Sequence, residues 1–157
     1  MDQQSSEELR RELALEQAIG AQLDHLVRRA NRAVIKLREK RDKMEESQLR
    51  NLLDAAMESG SVEVTAGFIR YQIGRDDKNI WKDFGHHVIR DLGELGKQET
   101  GSVVAHLKQI GITDADALKP RIQVRLMQLY LGYINRAFVY AKKANGFDDL
   151  KEVVSVA

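Results

Sequence analysis

Apolar residues recur at steps of three and four along almost the whole 157-residue chain, the period of helices buried on one face. From Ser5 to Met44 there is no proline and one glycine, among many Leu, Ala, Glu, Arg and Lys, all good helix formers. Ile19, Leu23, Leu26, Ala30, Ala33 and Leu37 alternate steps of four and three. This heptad-like stripe predicts one long helix that lays a seam on a partner, within the chain or across a dimer, and projects beyond the core at one end. A second helix is predicted over Ser47–Glu58, with Ser47 as N-cap and Leu49, Leu52, Leu53 and Met57 on one face. Ser59-Gly60-Ser61 breaks it. A third helix follows over Val62–Gly74, capped by Ser61, with Phe68, Ile69 and Ile73 inward.

Gly74 to Asn79 reads as a polar connection, and Ile80–Leu95 as a fourth helix facing inward through Trp81, Phe84, Val88, Ile89 and Leu92. Gly93, Gly96 and Gly101 predict a flexible break. A short helix capped by Ser102 then runs to Ile110, stopped by Gly111. Thr113 and Asp116 have capping-box spacing before a further turn. Pro120–Ala144 carries the most regular stripe: Ile122, Leu126, Leu129, Tyr130, Tyr133, Ile134, Ala137, Phe138 and Ala141. Pro120 stands in its first turn, where proline is tolerated. Asn145-Gly146 ends this helix and Asp148 starts a last short one. Val153 to Val156 is the only strand candidate. The reading is all-α: a compact helical bundle of about six helices with a long N-terminal helix, in one domain of residues 1–157. Its parts are a charged helix (1–45), a core bundle (46–146) and a C-terminal tail (147–157).

Composition narrows the class. Hydrophobic residues make up 43% and charged residues 31%, with one proline, a globular balance that can bury a core. Without cysteine there is no disulfide framework, thiol nucleophile or cysteine-bound zinc. The polar, acidic start, Met1 to Glu8, lacks a signal peptide's layout, and no apolar run approaches the roughly 20 residues of a membrane span. The expected location is the cytoplasm.

Net charge is +1, but its distribution is uneven. Between Arg28 and Lys43 eight basic residues face two acids, whereas the first sixteen residues hold five acids and two arginines. The long helix is therefore dipolar, acidic first and basic last, which complements its macrodipole.

Catalytic constellations are missing. The glycines at 93, 96 and 101 lack the lysine and the strand–helix setting of a phosphate loop. There is no HExxH, no His-Asp dipeptide, no arginine four to six residues before a histidine, and no nucleophile elbow. His86 and His87 are adjacent, hence about 100° apart on a helix; one is expected against Trp81 and Phe84 and the other in solvent. Asp76-Asp77 reads as a solvated turn rather than a cation site. No catalytic residue, metal or cofactor is expected.

Three basic groups could touch phosphates. The first is Arg28, Arg29, Arg32 and Lys36 within the basic run, for which a solvated helix face is the plain alternative. The second is Arg70, Tyr71 and Arg75 in FIRYQIGR, where an arginine beside an exposable aromatic can pair a phosphate contact with base stacking. The alternative there packs Tyr71 at the core edge and leaves Arg75 capping a helix end. The third is Arg136, Tyr140, Lys142 and Lys143 in INRAFVYAKK, which could equally serve the dipole of the helix they end. No base-reading module is present, so any nucleic-acid contact is to backbone, sequence-independent and salt-sensitive. A helix-turn-helix over 47–75 would place Val62, Glu63, Val64 and Thr65 at its reading positions, which lack base-reading side chains.

Ser47-Gln48-Leu49-Arg50, the segment Phe68 to Arg75 and the later Phe138-Val139-Tyr140-Ala141-Lys142-Lys143 together resemble the small helical subunit of type III CRISPR effector complexes, over roughly residues 47 to 143. The resemblance implies an architectural, non-catalytic role in antiviral defence. Copies would pack against other effector subunits and contact guide or target RNA backbone through Arg50, Arg70 and Arg75. The N-terminal helix is longer than that family leads one to expect, and Trp81 to Leu95 has no counterpart in the resemblance. The alternative function is a helical adaptor that self-associates through the residue 19–37 seam and binds no nucleic acid. A nucleic-acid enzyme using His86 or His87 ranks third.

Overall fold

The computed structural model describes residues 2–156, with side chains through residue 151. It is 83% helical with no strand among the described residues, an all-α bundle. The helices are α1 (Gln3–Gly20), α2 (Leu23–Ile35), α3 (Glu46–Ser59), α4 (Val62–Arg75), α5 (Lys82–Gln109), α6 (Lys119–Lys143) and α7 (Phe147–Val156). Short 3-10 turns occupy Arg38–Lys40 and Ala115–Leu118. No helix among the described residues is long and apolar enough to cross a membrane.

The expected long N-terminal helix is divided. Beyond Gly20 the backbone tightens, with the Gln22 N–H donating to the Ile19 carbonyl at 2.9 Å, and α2 starts afresh at Leu23. The bend serves burial: Leu15, Ala18 and Ile19 of α1 and Leu26, Ala30, Ala33 and Val34 of α2 all reach the core. After Ile35 the chain narrows into 3-10 turns that drive Leu37 and Met44 fully inside. The 19–37 seam is thus buried within the chain, with only Leu23 half-exposed. Residues 2–13 are exposed throughout, so the first three turns of α1 do stand clear of the core. Arg11 pairs there with Asp114 at 2.9 Å, and Arg121 forks onto Glu12 at 2.8 and 2.6 Å.

α3 starts one residue early. Glu45 rather than Ser47 caps it, in a capping box with Gln48, whose side-chain oxygen accepts from the Glu45 N–H at 2.9 Å. Its buried face is Leu49, Leu52 and Ala56; Leu53 is half-buried and Met57 exposed. Gly60 in the left-handed region (φ 55°) and Ser61, accepting from the Val64 N–H at 3.1 Å, turn the chain into α4 as predicted.

The largest departure is α5, which runs unbroken for 28 residues through Gly93, Gly96 and Gly101. Each interior glycine costs a helix roughly 1 kcal/mol, and the burial of Val88, Leu92, Leu95, Val103, Val104 and Leu107 outweighs that cost. Two glycines stand where neighbouring side chains come close. A Cβ on Gly85 would sit 2.8 Å from Ile73 Cδ1 of α4, and one on Gly96 would overlap the Gln123 side chain of α6. The expected Thr113–Asp116 capping box is absent; Asp116 instead joins Lys108 at 2.5 Å and Lys119 at 3.2 Å, tying the end of α5 to the start of α6. The segment after Gly146 is no tail. α7 lays buried Phe147 and Leu150 against the core, and residues 153–156 are helical rather than strand.

α6 is the hub, packing on α2, α3 and α5. α1 and α2 follow its direction, held at one end by Glu12–Arg121 and at the other by Arg41 donating to Asn145 Oδ1 at 2.8 Å. α5 runs against it. Deep between them, Arg29 of α2 donates to Glu99 (2.5 and 3.0 Å), Glu94 (2.9 Å), Gln98 (2.8 Å) and Asp91 (3.4 Å) on α5. Tyr130 of α6 donates to the other Asp91 oxygen at 2.5 Å. The hydrogen bond to Glu99, and behind it Glu94 and Asp91, hold Arg29 firmly protonated despite its burial.

Removing Arg29 leaves Asp91 and Glu99 buried without their cation, so Arg29→Ala is expected to lower unfolding free energy by about 3–5 kcal/mol in urea titrations. A loss under about 1 kcal/mol would show the cluster to be incidental. Burial, then the Asp91 carboxylate, pushes the Tyr130 phenol well above its ordinary value of 10.0. The folded chain keeps this proton after the unfolded chain has released it. Stability is therefore complete below about pH 10 and falls as pH rises past it, by up to about 1.4 kcal/mol per pH unit. Unfolding of wild type and Tyr130→Phe compared between about pH 9 and 11 checks this, the variant showing the shallower fall.

Candidate nucleic-acid interface

The second basic group is presented as a surface. Arg70, Tyr71 and Arg75 are exposed on α4, and Tyr71, at 62% exposure, is not at the core edge. Because residues four apart stack on one helix face, the Arg75 guanidinium lies 5.6 Å from the Tyr71 ring centroid. That contact holds a flat aromatic and a cation side by side in solvent. Among the described residues no carboxylate pairs with Arg70 or Arg75.

Where α4 ends, Gln48, Gln72, Arg75, Lys78 and Trp81 line a shallow cleft with Asp76 and Asp77. Asp76 accepts from the Lys78 N–H at 3.1 Å and the Trp81 N–H at 2.6 Å, closing the turn into α5. Among the described residues no group of three or more His, Cys, Asp or Glu is placed to hold a metal ion.

Arg50 is exposed and, among the described residues, unpaired, one turn beyond Glu46. The third basic group arrives at the same end of α3: Lys143 lies 3.7 Å from Glu46, and Lys142 donates to the Met44 carbonyl at 2.7 Å. Gln48 meanwhile borders the cleft beside Arg75. The first turn of α3 thus meets residues far apart in sequence, Lys143 at Glu46 and, at Gln48, the cleft that Arg75 lines. Arg136 is exposed and stacks over Tyr133 at 5.9 Å. Tyr140 is partly covered, donating to Asp149 at 3.0 Å.

The first basic group is split. Arg29 is buried in the acid cluster and cannot reach a ligand; a seam turned inward carries it into the core, where α5 supplies the counter-charge. Arg32 and Lys36 are exposed and unpaired among the described residues, and Arg28 is half-buried. Of the adjacent histidines, His86 is exposed, while His87 is largely covered and lies 3.3 Å from Asp91.

The sequence reading does not single out Lys82, Arg90 or Lys97 on α5 as cations of one face with His86, and its helix ends two residues short of Lys97. Lys82, His86, Arg90 and Lys97 are all exposed and without ion pairs among the described residues. Their spacing is the signal: steps of four from Lys82 to Arg90, and Lys97 seven beyond.

The Lys142 ammonium both ties α6 to the approach to α3 and sits 5.6 Å from the Phe138 ring. Lys142→Met keeps the stem and removes the donor, with an expected stability loss of about 1–2 kcal/mol by chemical unfolding. Unchanged stability combined with weakened RNA binding would instead assign Lys142 to the ligand. No family model matches the chain, and comparison with curated proteins and with solved structures also finds no match.

Proposed function

We propose that this chain is a non-catalytic subunit that holds RNA by its backbone. The resemblance to the small helical subunit of type III CRISPR effector complexes supports a role in a ribonucleoprotein of antiviral defence. The observation that carries the reading is the exposed surface of α4, where Arg70 and Arg75 have no carboxylate partner among the described residues and Arg75 is stacked on a solvent-facing Tyr71. Free guanidinium groups supply phosphate contacts, and the adjacent ring offers a base a stacking surface. Arg50 extends the same end of the hairpin. Recognition of this kind reads no sequence and weakens steeply with salt.

Contact with neighbouring subunits requires a surface other than the 19–37 seam, which is buried inside the chain. Leu9 and Leu13, both 52% exposed on the projecting turns of α1, supply one, beside half-exposed Ile110. Packing against effector subunits, or against a second copy, would use these positions.

Single-stranded RNA of mixed sequence, followed by fluorescence anisotropy at low and high salt, tests the reading. Wild type is expected to bind at low salt with a steep salt dependence, and Arg70→Glu/Arg75→Glu to lose most of that affinity while unfolding normally. Binding indifferent to both salt and the double substitution would sink the proposal.

A further inference from the structure

α4, α5 and α2 lie side by side as one layer. On one flank of α5, Gly85 meets Ile69 and Ile73 of α4; on the other, Asp91, Glu94 and Glu99 meet Arg29 of α2. Opposite its buried side, α5 presents Lys82, His86, Arg90, Gly93 and Lys97, all exposed. At about 100° per residue these five fall within a stripe about 80° wide, and at about 1.5 Å per residue it is about 22 Å long.

The flanking helices extend the stripe. α2 runs against α5 with Arg29 opposite residues 91–99, so the helical period brings Arg32 and Lys36, three and seven residues on, to the outer surface beside Arg90 and Gly93. On α4, Arg70 follows the buried Ile69 and is exposed on the other margin.

The charge on this face is not cancelled locally. None of Lys82, Arg90, Lys97, Arg32 and Lys36 forms an ion pair among the described residues, and the α5 acids Asp91 and Glu94 are bound to Arg29. Glu63, Asp83 and Asp24 lie in the first turns of α4, α5 and α2, where the positive helix N-terminus already compensates them. Gly93 adds a second observation. A Cβ there would meet nothing within 4 Å, so packing does not require the glycine, although it weakens the helix. Its effect is to leave the middle of the stripe low, open to close approach by an incoming backbone.

From this arrangement we infer that the outer face of α4, α5 and α2 is a track for single-stranded RNA, its phosphates lying along Lys82, Arg90 and Lys97 and across to Arg32 and Lys36. The inference rests on the RNA-holding role and supplies its path, for which Arg70 is the shared margin. A linear polyanion fits better than other acidic partners. The exposed large apolar side chains are Leu9, Leu13, Met57, Val64, Tyr71, Ile110 and Tyr140, none on α5's stripe or on α2. Val64 and Tyr71 stand on α4, but the α5 stripe and α2, along which the strand would run, carry nothing to insert into a bilayer and no apolar centre around which a folded protein would dock.

Two variants of the full chain test it in the anisotropy assay with single-stranded RNA. Lys82→Gln/Arg90→Gln/Lys97→Gln removes three charges from exposed positions. It is expected to weaken binding on the order of tenfold or more at low salt and to flatten the log–log salt slope by about 2. Gly93→Gln leaves net charge unchanged and favours the helix, so weaker binding with thermal stability equal to or above wild type is the expected result. If both variants bind like wild type while Arg70→Glu/Arg75→Glu does not, the RNA-holding role stands and this track is wrong. Absence of wild-type binding at low salt overturns both. Competition by phosphatidylserine vesicles that depends on the same three cations overturns the strand in favour of a lipid surface.

Discussion

The bundle is organised around a single arginine. Arg29 reaches from α2 into a space where α5 presents Asp91, Glu94, Gln98 and Glu99, and Tyr130 of α6 closes the cluster through Asp91. Buried charge is tolerated only when paired and hydrogen-bonded, so these groups admit one arrangement of the three helices. Apolar packing alone would allow α2 to slide or rotate against α5. The forked guanidinium, with its fixed donor directions, sets the register. Whether the cluster raises net stability is a separate matter, since buried pairs often cost as much in desolvation as they return. Its contribution here is to the geometry.

That geometry determines which charges face outward. By engaging Glu94 and Glu99, Arg29 removes from α5 the acids that would otherwise offset Arg90 and Lys97. An arginine in the core thus leaves its neighbours on the surface more positive. The unbroken course of α5 matters equally, because only a continuous helix brings Lys97 onto the same stripe as Lys82. Tertiary contact overrides three glycines to keep it continuous, and at Gly85 the Ile69 and Ile73 side chains of α4 fill the space a Cβ would take.

Apolar periodicity made most helices legible in the sequence. Both the α3–α4 corner at Gly60 and Ser61 and the run of α6 from Pro120 follow from local chemistry, a left-handed glycine, a serine cap and a regular stripe. The misreadings share one cause. Residues 19–37 carry a seam whose period says that it is buried but not against what, and Arg29, one position from that seam, looks like any other member of a basic run until α5 is placed opposite. The division of the N-terminal helix and the fusion of two predicted helices into α5 are likewise decided by packing, which outweighs weak propensities.

The candidate site divides in the same way. The exposed Arg70, Tyr71 and Arg75 were readable because cation and aromatic share one helix face at a spacing of four. What the sequence by itself determined was the helical class, the alternation of buried and exposed faces and a surplus of cations in particular segments, all of which depend on residues within a turn or two of one another. Only the tertiary structure decided which cation was neutralised inside, which seam was internal, and that α4, α5 and α2 share one outward face. Those outcomes depend on side chains brought together from 62 to 70 residues apart, and no local period carries that information.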